Sequence, residues 1–407
     1  MPPAASDSVR PILPGATLGI LGGGQLGSMF AMAARRMGYR VEAISDIADC
    51  PAARHCDRLH VGAYNDPVFL ATASRGLDVV TFEFENVPAA AGEALAAVVP
   101  VRPRPGVLFI TQNRAREKAF LVEHGFACAP HRVIETLAEL QAAADELGLP
   151  AVLKTAAFGY DGKGQRRIVS PADIETAWRE LGGDATAGPH RFVLEGWIDF
   201  DCEISVVAAR DLGGGTAAFP PSRNGHANHI LDIASVPAGL PAELLAAASQ
   251  TAERVLAALD VVGVACVEFF VTKDGQVLVN EIAPRTHNSG HLTIEACETS
   301  QFEQQVRAIC GLPLGSTRPL SPAAMANLLG NCWGDDPAAP VEPDWAAALS
   351  VPGVRLHLYG KSQPRPGRKM GHLTATAETV AEAIRRVETA RWLAARRGPS
   401  DVGEGCR

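Results

Sequence analysis

The chain has 407 residues, too many for one hydrophobic core, and its length argues for two or three domains. With 47% apolar and 20% charged residues it reads as an ordinary globular protein, and its net charge of −8 excludes a generic binder of nucleic acid or anionic membrane while leaving room for a local basic pocket. Nine scattered cysteines without a C-x-x-C point to reduced thiols in the cytoplasm rather than disulfides or structural zinc, and no run approaches the roughly 18 apolar residues of a membrane span.

Residues 1–15 are Pro-rich and read as a loose extension ahead of the fold. TLGIL (17–21) is an apolar strand, 25–37 a helix ending at Gly38, VEAIS a second strand and DVVTFEFE a further one, so this part is a parallel, doubly wound unit. Gly22, Gly24 and Gly27 fit G-x-G-x-x-G, and Asp46 follows at about the distance of a ribose-binding acid. The stretch is therefore either a nicotinamide or flavin site or a tight strand-to-helix turn for another ligand. VVPVRPRPGV (98–107) marks a boundary. After it come a helix in TQNRAREKAFLVEHG, a second in AELQAAADELG, the strand in PAVLKTA, the loop FGYDGKGQ and the strand FVLEGWI. An Ala-rich helix covers about 241–259 and is followed by the strand ACVEFFV. A third piece begins near Leu312, with the strand VRLHLYG and a helix over 378–396.

Three clusters carry chemistry. GYDGKGQ has backbone N–H groups that can approach phosphate oxygens and a mobile cation in Lys163, yet Gly164 stands where a Walker loop needs Ser or Thr. Asp161-Gly162 also suits a plain hairpin turn. Lys154 sits in an apolar strand, where it needs an anion or must snorkel from the strand end. In VEFFVTKDGQVLVNEIAPR, a two-residue Asp274-Gly275 turn pairs Lys273 with Gln276, Thr272 with Val277, Phe270 with Val279 and Glu268 with Glu281. Two carboxylates side by side repel, and a hard cation such as Mg²⁺ between them removes the objection. APRTHNSGH follows at once and packs Arg285, His287, Asn288, Ser289 and His291 into one polar segment suited to oxyanions. Later, YGKSQPRPGRKMGH gathers Lys361, Arg365, Arg368 and Lys369 as an anion pocket.

Taken together, GGGQLG, TFEFENVP, GYDGKGQ, LEGWIDFDCEIS, NEIAPRTHNSGH and PGRKMGH resemble the ATP-grasp ligases, and among them the family of 5-(carboxyamino)imidazole ribonucleotide synthetases, the ATPase subunit of phosphoribosylaminoimidazole carboxylase. The resemblance covers nearly the whole chain. It implies an α/β and α+β multidomain fold: a Rossmann-like domain at 16–112 after the extension, an ATP-grasp domain at 113–312, a small β-rich C-terminal domain at 313–397 and a tail at 398–407. For ATP it implies contacts from Arg114, Lys154, the hinge Glu195, Gly196, Trp197 and Ile198, the ribose ligand Glu203, and His226 and Asn280. The lid over the phosphates would be Gly159, Tyr160, Asp161, Gly162, Lys163, Gly164 and Gln165.

Glu268 and Glu281 would hold Mg²⁺ or Mn²⁺, although Ala283 stands where many relatives have a ligand Asn. Arg285, His287 and Lys369 are the catalytic candidates, and Gly24, Gln25, Glu83, Asn288, Ser289, Lys361 and Arg368 the substrate-binding ones. The implied reaction joins bicarbonate to the amine of 5-aminoimidazole ribonucleotide through carboxyphosphate at the expense of ATP, in a homodimer without nucleic-acid or membrane partners. The alternatives are a formate-dependent glycinamide ribonucleotide transformylase-like enzyme, an NAD(P) oxidoreductase built on the opening motif, and a catalytically idle nucleotide-binding protein. HNSGH and Gln25 favour the carboxylase, and the acid pair and basic loop are unexplained by a dehydrogenase.

Overall fold

The computed structural model describes residues 10–157, 164–184, 192–334, 336 and 338–395; the expected lid residues Gly159, Tyr160, Asp161, Gly162 and Lys163 lie outside these. The first unit is a parallel sheet of β1 (Thr17–Leu21), β2 (Arg40–Ser45), β3 (Arg58–Val61) and β4 (Val79–Phe82) in the order β3-β2-β1-β4. β1 is buried throughout, which is why TLGIL runs apolar without alternation. One face packs on α1 (Gln25–Arg36) through Leu26, Met29, Phe30 and Ala34. The other packs on α2 (Pro67–Ala73), α3 (Ala89–Ala96) and α4 (Pro105–Thr111) through Leu70, Leu95 and Leu108. β4 stops at Phe82, so Glu83 and Glu85 of DVVTFEFE lie beyond the strand end, at the carboxyl edge where such sheets bind ligands. Inside the expected extension, Ile12 donates its N–H to Cys310 O at 2.8 Å and accepts from Tyr39 Oη at 2.7 Å.

The next unit is a small lobe. α5 (Arg114–Glu123) begins at Asn113, whose Oδ1 accepts from the Ala115 and Arg116 amides. β5 (His131–Ile134), β6 (Ala151–Thr155), β7 (Gln165–Ile168) and β8 (Phe192–Gly196) form a sheet in the order β5-β8-β6-β7. α6 (Leu137–Leu147), opened by a Thr136–Glu139 capping box, and α7 (Ile174–Glu180) cover it with Leu140, Ala144 and Trp178.

A nine-stranded sheet makes up most of the rest. It contains β9 (Phe200–Arg210), β10 (Thr216–Ala218), β11 (Ser222–Ala227), β12 (Ile230–Val236), β13 (Gly263–Thr272), β14 (Val277–Ala283), β15 (Ala323–Leu329), β16 (Val354–Leu358) and β17 (Lys369–Thr376). Its order is β14-β13-β9-β11-β12-β15-β17-β16, with β10 on β9, so it passes without a break from the central unit into the third piece. α8 (Ala242–Ala258) buries Ala248, Ala252, Val255 and Leu256 against Ile204, Val206, Val267 and Phe269. α9 (Thr293–Ala296) and α10 (Gln301–Cys310) follow the polar segment. α10 turns back to the first unit, where Phe302, Val306 and Ile309 meet Leu18, Ile20 and Phe30. α11 (Trp345–Leu349) and α12 (Val380–Ala395) close the third piece; Ala383, Val387 and Ala390 of α12 pack on the sheet beside Ala326 and Leu373. Among the described residues no helix is long and apolar enough to cross a membrane.

The β13–β14 hairpin corrects the expected register. Its loop holds three residues, since Thr272 N donates to Gln276 O at 3.0 Å and Gly275, at φ +81°, donates to Thr272 O at 2.9 Å. Phe269 therefore faces Val279 and Val271 faces Val277, not the expected Phe270–Val279 and Thr272–Val277 pairs. One strand turn later a β-bulge leaves Asn280 as an extra residue on β14. The two one-residue shifts cancel. Glu268 lies opposite Glu281, as expected but by a different route.

Candidate active site

The glycine cluster faces a carboxylate of its own chain. Glu83 Oε1 accepts from Gly24 N at 2.6 Å and Oε2 from Gly27 N at 3.1 Å, occupying the amino end of α1 where a dinucleotide pyrophosphate would sit. A Cβ on Gly22 would meet Glu83 Cγ at 2.5 Å, and one on Gly24 would meet Glu83 Oε1 at 2.5 Å. These glycines make room for Glu83, which argues against the nicotinamide or flavin reading. Burial raises the Glu83 carboxyl above its ordinary pKa, against the pull of the Gly24 and Gly27 amides and of Arg285 and Lys361 nearby. Gln25 opens α1 beside it, and Asp46 is an exposed residue beyond the end of β2.

In the small lobe, Lys154 finds its anion within the chain: Nζ lies 2.7 Å from Glu195 Oε2. Lys118, only 1% exposed, lies 3.6 Å from the other oxygen and donates to Asn280 O, at the bulge, at 2.8 Å. Burial opposes charge on Glu195, but Lys154 and Lys118 hold its carboxyl down to about 2. Arg114, at the start of α5, donates to Thr155 O at 3.0 Å and adds positive field to Glu195 and Glu281. Gly164 and Gln165 open β7 beside Thr155 and Lys154. Of the hinge amides, Gly196 N is engaged by Pro130 O and Trp197 N by Pro150 O, with Ile198 next in line. The Arg167 guanidinium covers the Trp197 ring at 4.1 Å. Glu203 and His226, on β9 and β11, pair at 2.5 Å, and Glu203 raises His226 against the effect of burial.

The two sides meet at Glu268. His287 Nε2 lies 2.9 Å from Glu268 Oε1, and its Nδ1 lies 2.9 Å from Ser289 Oγ. Burial opposes charge on His287, yet Cys266 and Glu268 beside it raise its pKa to about 10. Glu268 is held below the ordinary range, where burial is outweighed by His287, His226 and Lys369. Glu281 opens to solvent in the cleft; partial desolvation there and the Glu268 charge push it above the ordinary range. Lys369, at the start of β17, brings the third piece to this point, and Lys361 Nζ donates to Lys369 O at 2.7 Å. Arg368 donates to Gln363 O at 2.7 Å. Asn288 is 9% exposed, and its Nδ2 is buried without a hydrogen-bond partner. This buried donor is left open to a partner from outside the described residues.

Three family models match the chain in order: the ribonucleotide synthetase preATP-grasp domain at residues 15–112, the ATP-grasp domain at 119–302, and the phosphoribosylaminoimidazole carboxylase C-terminal domain at 323–386. The chain is 46% identical over 361 residues to an N5-carboxyaminoimidazole ribonucleotide synthase of Brucella melitensis, a match spanning 89% of this chain and 96% of the relative. It belongs to the N5-carboxyaminoimidazole ribonucleotide synthase family.

Members of this family are ATP-dependent ligases of the ATP-grasp class, and the three-part architecture here is theirs. The fold superposes on the Staphylococcus aureus N5-carboxyaminoimidazole synthetase complexed with ADP at a TM-score of 0.86, with 31% identity over 95% of this chain and all of that one. It superposes on the Aspergillus clavatus synthase in complex with ADP and 5-aminoimidazole ribonucleotide at 0.82, with 31% identity over 93% and 98% of the two chains.

Sequence reasoning missed several residues of this synthase-family site. Glu85 grips one edge of the Arg285 guanidinium with both oxygens, accepting from Nη2 on Oε1 at 2.8 Å and from Nε on Oε2. Burial opposes its charge, but Arg285 holds the Glu85 carboxyl down to about 2. Arg285 is thus a cation fixed in place before any substrate arrives. Glu117 accepts from Ile282 N at 3.1 Å beneath the acid pair, and burial pushes its carboxyl up to about 8 despite Lys118. Glu85 sat in the quoted TFEFENVP; Glu117 and Lys118 lie in the expected helix of TQNRAREKAFLVEHG, where no sequence signal set them apart.

Proposed function

We propose that the chain carboxylates the exocyclic amine of 5-aminoimidazole ribonucleotide, using ATP and bicarbonate, as a step of purine biosynthesis. The observation that supports this reading is the Glu268–His287 contact, which joins the residues assigned here to the nucleotide to those assigned to the ribonucleotide. The family relatives carry the same activity in their names, and one is solved with ADP and 5-aminoimidazole ribonucleotide.

The chemistry follows from the groups available. Bicarbonate is a poor electrophile, so one of its oxygens first attacks the γ-phosphorus of ATP; the bond to ADP breaks and carboxyphosphate forms. The amine then takes the carboxyl carbon, directly or as CO₂ released in the closed site, while phosphate leaves and the amine gives up a proton. Lys154 and Arg114 are suited to the ATP phosphates, Glu195 and the Ile198 amide to adenine, and Glu203 with His226 to the ribose. The fixed Arg285, the raised His287 and Lys369 supply positive charge for the carboxyphosphate. Asn288, Ser289, Lys361 and Arg368, with Glu83 and Gln25 opposite, suit the ribonucleotide and its phosphate.

Two carboxylates held directly opposite one another, with Ala283 offering no third side-chain oxygen, fit a hard cation that completes its shell with phosphate and water. When bound there by Glu268 and Glu281, Mg²⁺ or Mn²⁺ would neutralise charge on the transferring phosphoryl group. The homodimer and the cytoplasmic setting belong to the same proposal, and sedimentation of the purified chain tests the first. The deciding assay is phosphate release with ATP, bicarbonate and the ribonucleotide, each omitted in turn, with formate replacing bicarbonate in a further arm. Full activity in the formate arm overturns the reading. Glu281→Gln removes turnover by at least about 100-fold while the thermal midpoint holds or rises, because the like-charge pair is gone; normal turnover removes the metal assignment.

A further inference from the structure

HNSGH ends in a histidine with no role in the site described above, and its glycine sits in a helical turn at an ordinary φ that does not require glycine. Both are accounted for by Gln301, the first residue of α10 and fully buried. Its Oε1 accepts the His287 N–H at 2.8 Å and its Nε2 donates to His287 O at 2.8 Å, so one carboxamide grips both backbone groups of that residue. The two bonds fix the amide's orientation, since only Oε1 can accept and only Nε2 can donate. Nε2 also lies 3.1 Å from His291 Nδ1, which must therefore accept, leaving the His291 proton on Nε2. His291 is fully buried and lies against His372, the last residue of PGRKMGH, with ring centroids 4.8 Å apart and the planes tilted by 31°. A Cβ on Gly290 would meet Gln301 Oε1 at 2.6 Å, so the glycine is there to admit the carboxamide. Thr293 Oγ1 completes the clamp by accepting Gln301 N at 2.9 Å and donating to Gly290 O at 2.6 Å.

We infer that Gln301 is a positioning residue for His287, and that His291 locks the Gln301 carboxamide in its working orientation. Neither residue is in the set that faces the substrates. Their effect passes through the His287 backbone, which sets where the imidazole lies against Glu268. The inference rests on His287 belonging to the reacting site, as proposed above.

Gln301→Glu keeps the size and the acceptor for the His287 N–H but sets oxygen against His287 O and His291 Nδ1. The control is Gln304→Glu, one helical step along, whose carboxamide grips Gly315 in the same two-bond manner away from the site. Two measurements are made on the full chain. In amide hydrogen exchange, the segment 285–292 exchanges at least about tenfold faster in Gln301→Glu and unchanged in Gln304→Glu. In steady-state kinetics, Gln301→Glu loses about tenfold or more in kcat with the KM for ATP within about twofold, and releases more ADP per carbamate formed. His291→Phe, which keeps a ring but no acceptor, gives a smaller kcat loss of the same pattern and serves where Gln301→Glu fails to fold. Unchanged exchange and kcat in Gln301→Glu or, where that variant does not fold, in His291→Phe overturns the inference, as does an equal kcat loss in Gln304→Glu. If the unaltered chain shows no bicarbonate- and ribonucleotide-dependent turnover, the substrate reading fails, and the exchange data still decide the clamp.

Discussion

Glu83 and Glu85 stand two residues apart and do opposite work. Glu83 fills the glycine loop, its carboxyl raised by burial, while Glu85 neutralises Arg285 and is held down to about 2. Gly24→Ala puts a Cβ 2.5 Å from Glu83 Oε1 at an ordinary φ, so the strain is steric and the carboxylate must move. Its expected cost is about 1–3 kcal/mol of stability and about a tenfold rise in KM for the ribonucleotide, checked by thermal melts and initial rates. Glu85 sits below its ordinary value of 4.5, so its contribution is fully present above that pH and drains away as pH falls towards about 2. Glu85→Gln should lose about 1.5–3 kcal/mol at neutral pH, and the gap between variant and parent should close as denaturation curves are repeated from pH 5 down. A gap that widens on acidification would contradict the ion pair.

At the level of elements, the hairpin carries the acid pair by compensation. Gly275 sits at φ +81° in the loop, and Asn280 is the residue that restores the register. Gly275→Ala should lower stability by about 1 kcal/mol and leave kcat alone, because the loop is remote from the carboxylates. Inserting one alanine between Asn280 and Glu281 is the opposite case. Each residue beyond it moves to the other face of β14, Glu281 loses its place opposite Glu268, and turnover should vanish even in protein that still melts cooperatively. The sequence made the pairing legible through Asp274-Gly275 but not the loop length or the bulge. The bulge depends on Lys118 reaching Asn280 O and on Ala127 O accepting the Val279 amide, both contacts from segments more than 100 residues away.

For the whole molecule, α10 is the joint. Its apolar side completes the core of the first unit, and three buried glutamines bond to three other segments. Gln301 grips the active-site turn, Gln304 grips Gly315 on the way to the third piece, and Gln305 joins Val264 N on β13 to Thr81 Oγ1 on β4. Gln305→Leu fits the space but strands two buried polar groups, and should cost about 3 kcal/mol in a single shifted transition. Two separate calorimetric transitions would mean that the units were never joined there. QFEQQVRAIC forms an amphipathic helix with a polar face of glutamines. That face is buried because backbone groups of other segments need partners, a demand that no local pattern records.

The sequence by itself determined the parallel first unit, the order of the parts, the acid pair, the polar turn and the basic loop, because apolar periodicity, turn chemistry and clustered charge are local properties of the chain. Only the tertiary structure decided who meets whom. Glu83 displaces a dinucleotide from its own fingerprint, Glu85 fixes Arg285, Glu195 receives Lys154 and Gln301 holds His287. Buried charges and buried backbone groups must be satisfied by whatever the fold brings within about 3 Å, and that distance is set by packing between segments far apart in the chain.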